Sequence, residues 1–234
     1  MESQDRRLTA MTDDPTQDYV FLAPDICETP AGEVMWPFVR LDDTQDLDWW
    51  GGEPVAPGKP VDFSADPEYA NDVETFELFR VAVVQSFPLL RPAVARVLRP
   101  FMPSSAQLIP SYIKTGRGRY EWDEDWVYLH LWDMIDVVDR ERSEETMLDG
   151  EPFGTFDSIR LSRDALNDLR PDERSIIRLS AEDEDLLIFH RTVGDALLAQ
   201  GIAGALVVPL AFYAPAMTFL RDHRSEIDRI NGAL

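Results

Sequence analysis

The sequence predicts an α+β fold: a mixed, mostly antiparallel sheet with roughly three or four helices packed on it. Short stretches rich in branched and aromatic residues recur along the chain and indicate strands. A few amphipathic stretches with capping residues stand between them and indicate helices. The two kinds of stretch do not alternate strictly, so we expect roughly seven to nine strands outside a regular βαβ pattern.

The first half of the chain contains few clear elements. Residues 1–18 are polar, are predicted to be flexible, and are typical of neither a signal peptide nor a membrane anchor. Ser86 and Pro88 suit the start of a helix, as its cap and within its first turn. The predicted elements are a strand at 19–23, loops with roughly one or two short strands over 26–66, a strand at 75–84, a helix at 88–98 and an extended segment at 107–113.

The second half is more regular. From Trp126 to Trp132 the residues alternate between two faces, one of which carries Tyr128 and His130. The other predicted elements are an extended run at 135–138, a polar stretch at 139–154, a strand at 158–161, a helix to 169 capped by Ser162, strands at 176–179 and 186–189, a helix at 193–200 capped by Thr192 and closed by Gly201, a strand at 205–210 and a helix at 217–230. We expect a single domain over 19–234, with a subdivision near 114–118 as the alternative.

Charge gives the first indication of function. The chain has 44 acidic and 22 basic residues, a net charge of −22. Such a field repels nucleic acid and anionic lipid and attracts basic proteins, although acidity for solubility alone is a competing explanation. The longest apolar stretch, 201–217, contains two prolines and is too short to span a membrane. The single cysteine, Cys27, fits a reducing compartment, so we expect a cytoplasmic protein.

Residues that perform catalysis are scarce and scattered. The sequence has none of the usual nucleophile, phosphate-binding or metal motifs. His130 could act as a general base beside a carboxylate, but a packed histidine in a sheet is the simpler interpretation. The acids at 42–53 have the spacing of a calcium loop, yet Leu47 occupies the position that requires glycine. We therefore predict no catalytic, cofactor-binding or metal-binding residues.

Two clusters combine acids with tryptophans. Asp123, Glu124 and Asp125 lie between Trp122 and Trp126, and a second cluster contains Asp46, Asp48, Trp49 and Trp50. This composition suits a protein interface in which a tryptophan is the anchor and the acids pair with basic residues. A carbohydrate hydrolase would use the same residue types, and a third interpretation places one tryptophan in the core with solvated acids.

The order of pieces over 128–208 resembles the immunity proteins of bacterial polymorphic toxin systems, a family first described from a myxobacterium and long catalogued as a domain of unknown function. The stretch at 76–110 is similar to that family as well, in its order of strand, serine, helix and closing Leu-Ile-Pro. Ile177 stands where the family usually has an aromatic residue. The pieces that carry the resemblance are the tyrosine-containing strand at 128–138, Asp139 and Ser143, the turn Asp149-Gly150, the strand and small helix at 159–169, Ile176-Ile177-Arg178-Leu179, and the last strand and helix at 187–204.

The resemblance implies a cytoplasmic antitoxin that binds a cognate toxin or effector domain in interbacterial competition, such as one delivered by type VI secretion, and occludes its active site. It implies no catalytic residues. Two alternatives stay open: an adaptor or chaperone that carries the effector, and a hydrolase using Asp123 or Asp125 with Glu124. The identity of the toxin and the oligomeric state do not follow from the sequence.

Overall fold

The fold is α+β, as predicted, with mixed and mostly antiparallel sheets. The computed structural model describes residues 13–25, 27–28, 34–35, 39–41, 54–55, 60–65, 81–84, 87–115, 121–181, 184–202 and 204–232. The α-helices are α1 (Pro92–Leu98), α2 (Arg163–Asp168), α3 (Arg191–Leu198) and α4 (Thr218–Gly232). The strands are β1 (Tyr19–Pro24), β2 (Cys27–Glu28), β3 (Val34–Met35), β4 (Val39–Leu41), β5 (Val61–Ala65), β6 (Val81–Val84), β7 (Phe87–Leu90), β8 (Ala106–Thr115), β9 (Glu121–Leu131), β10 (Met134–Ile135), β11 (Glu144–Leu148), β12 (Glu151–Ser158), β13 (Ile176–Ala181), β14 (Glu184–His190) and β15 (Ala205–Pro209).

A five-stranded sheet has the order β10-β13-β14-β1-β15. Its strand β1 pairs antiparallel with β14 on one side and with β15 on the other, from Tyr19 opposite His190 to Pro24 opposite Ala205. Only the β10–β13 pair in this sheet is parallel. The strands predicted at 19–23, 176–179 and 186–189 are confirmed here, and the one predicted at 205–210 ends one residue earlier, because Leu210 begins a 3₁₀ turn.

A six-stranded sheet has the order β4-β5-β8-β9-β7-β6. At its centre β8 and β9 form an antiparallel pair that runs from Ala106 opposite Leu131 to Thr115 opposite Glu121. The extended segment at 107–113 and the strand at 126–131 are therefore confirmed. Of the segment considered as a subdivision, 114–118, Lys114 and Thr115 are the last residues of β8, and 116–118 lie outside the described residues.

Two apolar cores are built on the five-stranded sheet. The inter-sheet core lies between the two large sheets and includes Val20 and Leu22 of β1, Leu129 of β9, and Val193 and Leu197 of α3. The outer core lies on the opposite face of β1. It contains Tyr19, Phe21 and Ala23 together with Phe156, Leu166, Phe219 and Ile227. The five-stranded sheet is therefore covered on both faces, which explains why β1 is buried at every position.

Several predicted boundaries are corrected by tertiary pairing. Pro88–Leu90, predicted as the start of a helix, belong to β7, because Leu89 and Leu90 pair with Tyr128 and Val127 of β9. The helix starts only at Pro92, with Arg91 as its N-cap, and Ser86 lies outside the described residues. Of the predicted strand at 75–84, only 81–84 is described, and it is a strand.

Two further corrections concern segments predicted to be irregular or flexible. The polar stretch 139–154 contains β11 and the start of β12, and of the predicted strand 158–161 only Leu161 forms a further bridge, to Val138. Residues 13–18 were expected to be flexible, yet Pro15–Asp18 form a 3₁₀ turn. Thr16 is buried there, and its Oγ1 accepts a hydrogen bond from the Leu161 N–H at 3.0 Å.

Helix termini follow the predicted capping chemistry in part. The Ser162 side chain accepts a hydrogen bond from the Ala165 N–H and caps α2, as predicted. Gly201 has φ 62°, the left-handed conformation expected after a helix. Helix α3, however, is capped by His190 instead of Thr192 and begins at Arg191. Helix α4 covers the predicted range 217–230 almost entirely, starting at Thr218.

Side-chain amides complete the backbone pairing at two places. Asn231 of α4 accepts a hydrogen bond from the Val207 N–H at 2.9 Å and donates one to the Val207 carbonyl at 3.0 Å. Gln107 of β8 makes the same double contact with the backbone of Val55, at 2.9 and 3.2 Å. At Val207 the amide takes the place of a neighbouring strand, and at Val55 it pairs a segment outside any strand; in each case a backbone donor and acceptor are satisfied.

A close approach at Gly194 fixes the position of α3 on the five-stranded sheet. A Cβ added to Gly194 would lie 2.8 Å from Cγ2 of Val20 and 3.4 Å from Cγ1 of Val207. Both valines are buried in the inter-sheet core. Valine side chains have little rotamer freedom, so they cannot easily move away.

We expect Gly194→Ala to destabilise the protein, although alanine is the better helix former by about 1 kcal/mol. The overpacked methyl group should cost about 1–3 kcal/mol. Urea unfolding at neutral pH measures the difference. Because Val20→Ala removes the clashing methyl group, Gly194→Ala should be less harmful in that background. Equal effects in both backgrounds would contradict the packing explanation.

Candidate protein-interaction surface

The two predicted tryptophan–acid clusters have different outcomes. Asp46, Asp48, Trp49 and Trp50 lie outside the described residues. The backbone of Trp122, Asp123, Glu124 and Asp125 is described, and it forms the start of β9. Their side chains are outside the described part of the structure, so their role as partner-binding residues stays a prediction.

The backbone register shows that this cluster contains a β-bulge. Ser111 pairs with Trp126, whereas Ile113 pairs with Asp123, so β8 advances by two residues while β9 advances by three. A bulge increases the local twist and interrupts the alternation of faces along the strand. The acids therefore do not simply continue the two-face pattern predicted for 126–132.

Trp126 is a core residue, which corrects its assignment as a surface anchor. Its side chain is 1 % exposed and belongs to the inter-sheet core. The guanidinium carbon of Arg91 lies 4.2 Å from the centroid of the ring and adds a cation–π contact. A tryptophan this deeply buried cannot anchor a partner, because it has no surface to offer. Trp126 therefore fits the interpretation in which one tryptophan of the cluster lies in the core.

The three histidines occupy structural positions. His130 is 2 % exposed, and its ring lies 6.1 Å from the rings of both Tyr128 and Trp132, so these residues share a face as predicted. His223 stacks on Phe212, with ring centroids 4.1 Å apart. His190 caps α3 through its Nδ1. Their separate locations bring no pair of histidines together.

Metal-binding groups were also sought among the described residues. Within that part of the chain, no three or more His, Cys, Asp or Glu side chains are grouped so that they could hold a metal ion. The calcium-like spacing at 42–53 lies outside the described residues.

A surface hairpin that the sequence analysis missed is formed by β11 and β12. Leu148 pairs with Glu151, and the two residues between them make a tight turn with φ 53° at Asp149 and φ 88° at Gly150. Positive φ at both central positions is typical of a type I′ turn, for which Asp-Gly is a preferred sequence. The Asp-Gly turn could have indicated a hairpin. Because of the many acids around it, the segment 139–154 was predicted only as a polar stretch.

The base of this hairpin is tied to the rest of the protein. Phe156 is 2 % exposed and packs in the outer core, and the Arg140 guanidinium lies 5.9 Å from the centroid of its ring. Arg140 also reaches Glu145 at 3.9 Å. Ser143 Oγ accepts a hydrogen bond from the Arg160 N–H at 2.9 Å. These contacts connect the base of the hairpin to the outer core and to the neighbouring segments.

Among the hairpin side chains that the structure describes, the exposed ones are mostly acidic, and Met147 is an exposed apolar residue. Residues 144–158 contain no lysine or arginine. Met147 is 56 % exposed, the largest exposure among the large apolar side chains of the described residues. Methionine is enriched at protein interfaces, and its flexible side chain fits irregular partner surfaces. We call this region the acidic hairpin; its carboxylates are Glu144, Glu145, Asp149, Glu151 and Asp157.

Comparison with known proteins assigns no family to the chain. No protein-family model matches it, and no curated protein matches it significantly. Among the described residues, no helix is both long and apolar enough to cross a membrane.

Proposed function

We propose that the protein is an immunity protein that binds a cognate bacterial toxin or effector domain and neutralises it by occluding its active site. The observation that carries this proposal is the acidic hairpin. It presents Met147 among five carboxylates, and its base is held by the outer core. A charged surface hairpin with an exposed methionine suits contact with a cleft of another protein.

The charge of the chain supports a basic partner. A net charge of −22 attracts a basic surface over long distances and raises the rate of encounter. In the proposed complex the carboxylates of the acidic hairpin pair with lysine or arginine residues around the toxin's active site. Met147 fills an apolar contact at the centre, where burial contributes most to affinity. Nucleic acid and anionic membranes are disfavoured as partners by the same field.

The order of elements is compatible with the resemblance to immunity proteins. The tyrosine-containing strand corresponds to β9, the Asp149-Gly150 turn to the tip of the acidic hairpin, and the small helix to α2. The final strand and helix correspond to β14 and α3. A cytoplasmic location belongs to the same proposal, because an antitoxin must meet the toxin where it acts.

Two alternatives make different predictions. An adaptor or chaperone would bind the effector and promote its delivery, but it would leave a cell unprotected. A hydrolase using Asp123 or Asp125 with Glu124 would need two of these carboxyl groups on opposite sides of a bound sugar. Protection assays distinguish the adaptor from an immunity protein. Loss of hydrolase activity on replacement of Glu124 would identify the hydrolase.

Protection is the direct test of the proposed function. A strain that expresses the toxin domain encoded beside this gene should grow only when the protein is co-expressed, and a mutant without the gene should lose to a competitor that delivers the toxin. Binding without protection would indicate the adaptor. A deletion mutant as resistant as the parent strain would contradict the proposal.

The interface prediction uses a pair of matched variants. Met147→Arg should weaken binding to the toxin domain by at least about tenfold, because it places a positive charge against a basic partner at a central contact. Met134→Arg is the control, since Met134 is also an exposed methionine on a strand, with 45 % exposure. Calorimetry on both variants measures the affinity, and thermal melts confirm that each is folded.

A second arm tests the other candidate surface. The triple change Asp123→Ala, Glu124→Ala and Asp125→Ala removes the acids of β9 and keeps the acidic hairpin. If the triple variant loses affinity while Met147→Arg retains it, the interface lies at the start of β9. Equal losses for Met147→Arg and Met134→Arg would show that net charge alone determines binding.

A further inference from the structure

His190 provides the N-cap of α3 at the junction with β14. Its Nδ1 accepts a hydrogen bond from the Thr192 N–H at 3.3 Å and lies 2.9 Å from Thr192 Oγ1. A ring nitrogen that accepts a backbone N–H carries no proton itself. The cap therefore requires the neutral imidazole, with its proton on Nε2.

The imidazole is enclosed on several sides. His190 is 5 % exposed, and the Tyr19 ring meets it edge-on with centroids 5.5 Å apart. The Tyr19 hydroxyl donates to the Arg174 carbonyl at 2.9 Å, and the Ser175 carbonyl accepts the His190 backbone N–H at 2.9 Å. Neighbouring elements thus hold the ring in place over the start of the helix.

The charged groups around the ring come from two elements. Burial lowers the pKa of His190, which is the largest effect. Asp18, which precedes β1, and Asp195 of α3 favour the charged ring and act in the opposite direction, while Arg191 lowers the pKa further. Helix α3 has no acidic residue in its first turn. A protonated ring would place a positive charge among the N–H groups that already make this end of the helix positive.

The helix that His190 caps is part of the inter-sheet core. Val193 and Leu197 of α3 are fully buried there, and Gly194 lies against Val20 of β1. Loss of the cap would therefore weaken the packing between the two large sheets.

We propose that His190 is an acid-sensitive cap: protonation of its Nδ1 breaks the hydrogen bond that it accepts from the Thr192 backbone N–H, leaves Nδ1 only a donor to Thr192 Oγ1, and loosens α3 from the inter-sheet core. Histidine in an unfolded chain titrates near about pH 6.5. Because the folded protein keeps the ring neutral to lower pH, the unfolded chain binds the proton first. Stability from the cap is complete above that pH and decreases as the pH falls below it.

The test compares His190→Asn with the wild type. Asparagine is a good N-cap and does not titrate, so the variant should keep the helix start without its pH dependence. Between pH 7.5 and 5.5 the wild-type Tm should fall by about 2–4 °C more than that of His190→Asn, the size expected for one cap in a chain of this length. The shared carboxylates cancel in this difference.

Two controls complete the comparison. His223→Asn should retain the wild-type pH dependence, because His223, a residue of α4, stacks on Phe212 and caps no helix. His190→Ala should have a lower Tm than His190→Asn at pH 7.5, since alanine cannot cap. Parallel pH profiles for wild type and His190→Asn would overturn the proposal.

Measurements on the wild-type protein test the proposal even if a His190 variant does not fold. Nitrogen-15 NMR of the imidazoles should show the Nε2–H tautomer of His190 at pH 7.5. Hydrogen exchange of the α3 amides, corrected for intrinsic rates, should speed up as the ring becomes protonated. A ring with its proton on Nδ1 at pH 7.5, or α3 protection that does not change on protonation, would show that His190 is not such a cap.

Discussion

Burial of β1 on both faces is the constraint on which the rest of the structure depends. Val20 and Leu22 enter the inter-sheet core, while Tyr19, Phe21 and Ala23 enter the outer core. A polar group on this strand must therefore find a partner inside the protein, as the Tyr19 hydroxyl does with the Arg174 carbonyl, and the backbone along both edges must be paired. Strands β14 and β15 provide that pairing from the last quarter of the chain. Because both cores require β1, the start of the described chain and its C-terminal region are stabilised together.

The same constraint explains which elements could be predicted. The strands at 19–23, 186–189 and 205–209 are continuous apolar runs, and 176–179 is apolar except for the buried Arg178; burial on both faces favours such runs. The predicted boundaries of elements were wrong where pairing with another strand determined the conformation. Leu89 and Leu90 have helical spacing with later residues, but pairing with β9 makes them a strand. Local preference is a weak guide when a buried neighbour supplies a competing set of hydrogen bonds.

The candidate site was harder to predict, and the reason is physical. Asp-Gly with φ above zero specifies a hairpin turn, but the strands beside it are acidic and bury little, so no apolar alternation marks them. In the other direction, the aromatic character of Trp126 suggested an interface, whereas the core required a large side chain beneath Arg91. Composition alone does not distinguish an aromatic anchor from an aromatic core residue, because both are selected for apolar area.

Polar groups in the interior and on the surface of this protein have different roles. Inside, polar groups serve the fold: His190 starts a helix, Asn231 completes the pairing of β15, and the buried Arg178 donates to the Leu131 carbonyl at 2.9 Å. Each of them satisfies a backbone group, so its freedom to take part in binding or chemistry is limited. The surface of α4 pairs its charges, as Arg224 does with Asp228 at 2.8 Å. The acidic hairpin has no base within its own sequence to neutralise its five carboxylates. Arg140, outside the hairpin, reaches Glu145 at 3.9 Å, and in the proposed complex a basic partner would pair with the remaining carboxylates.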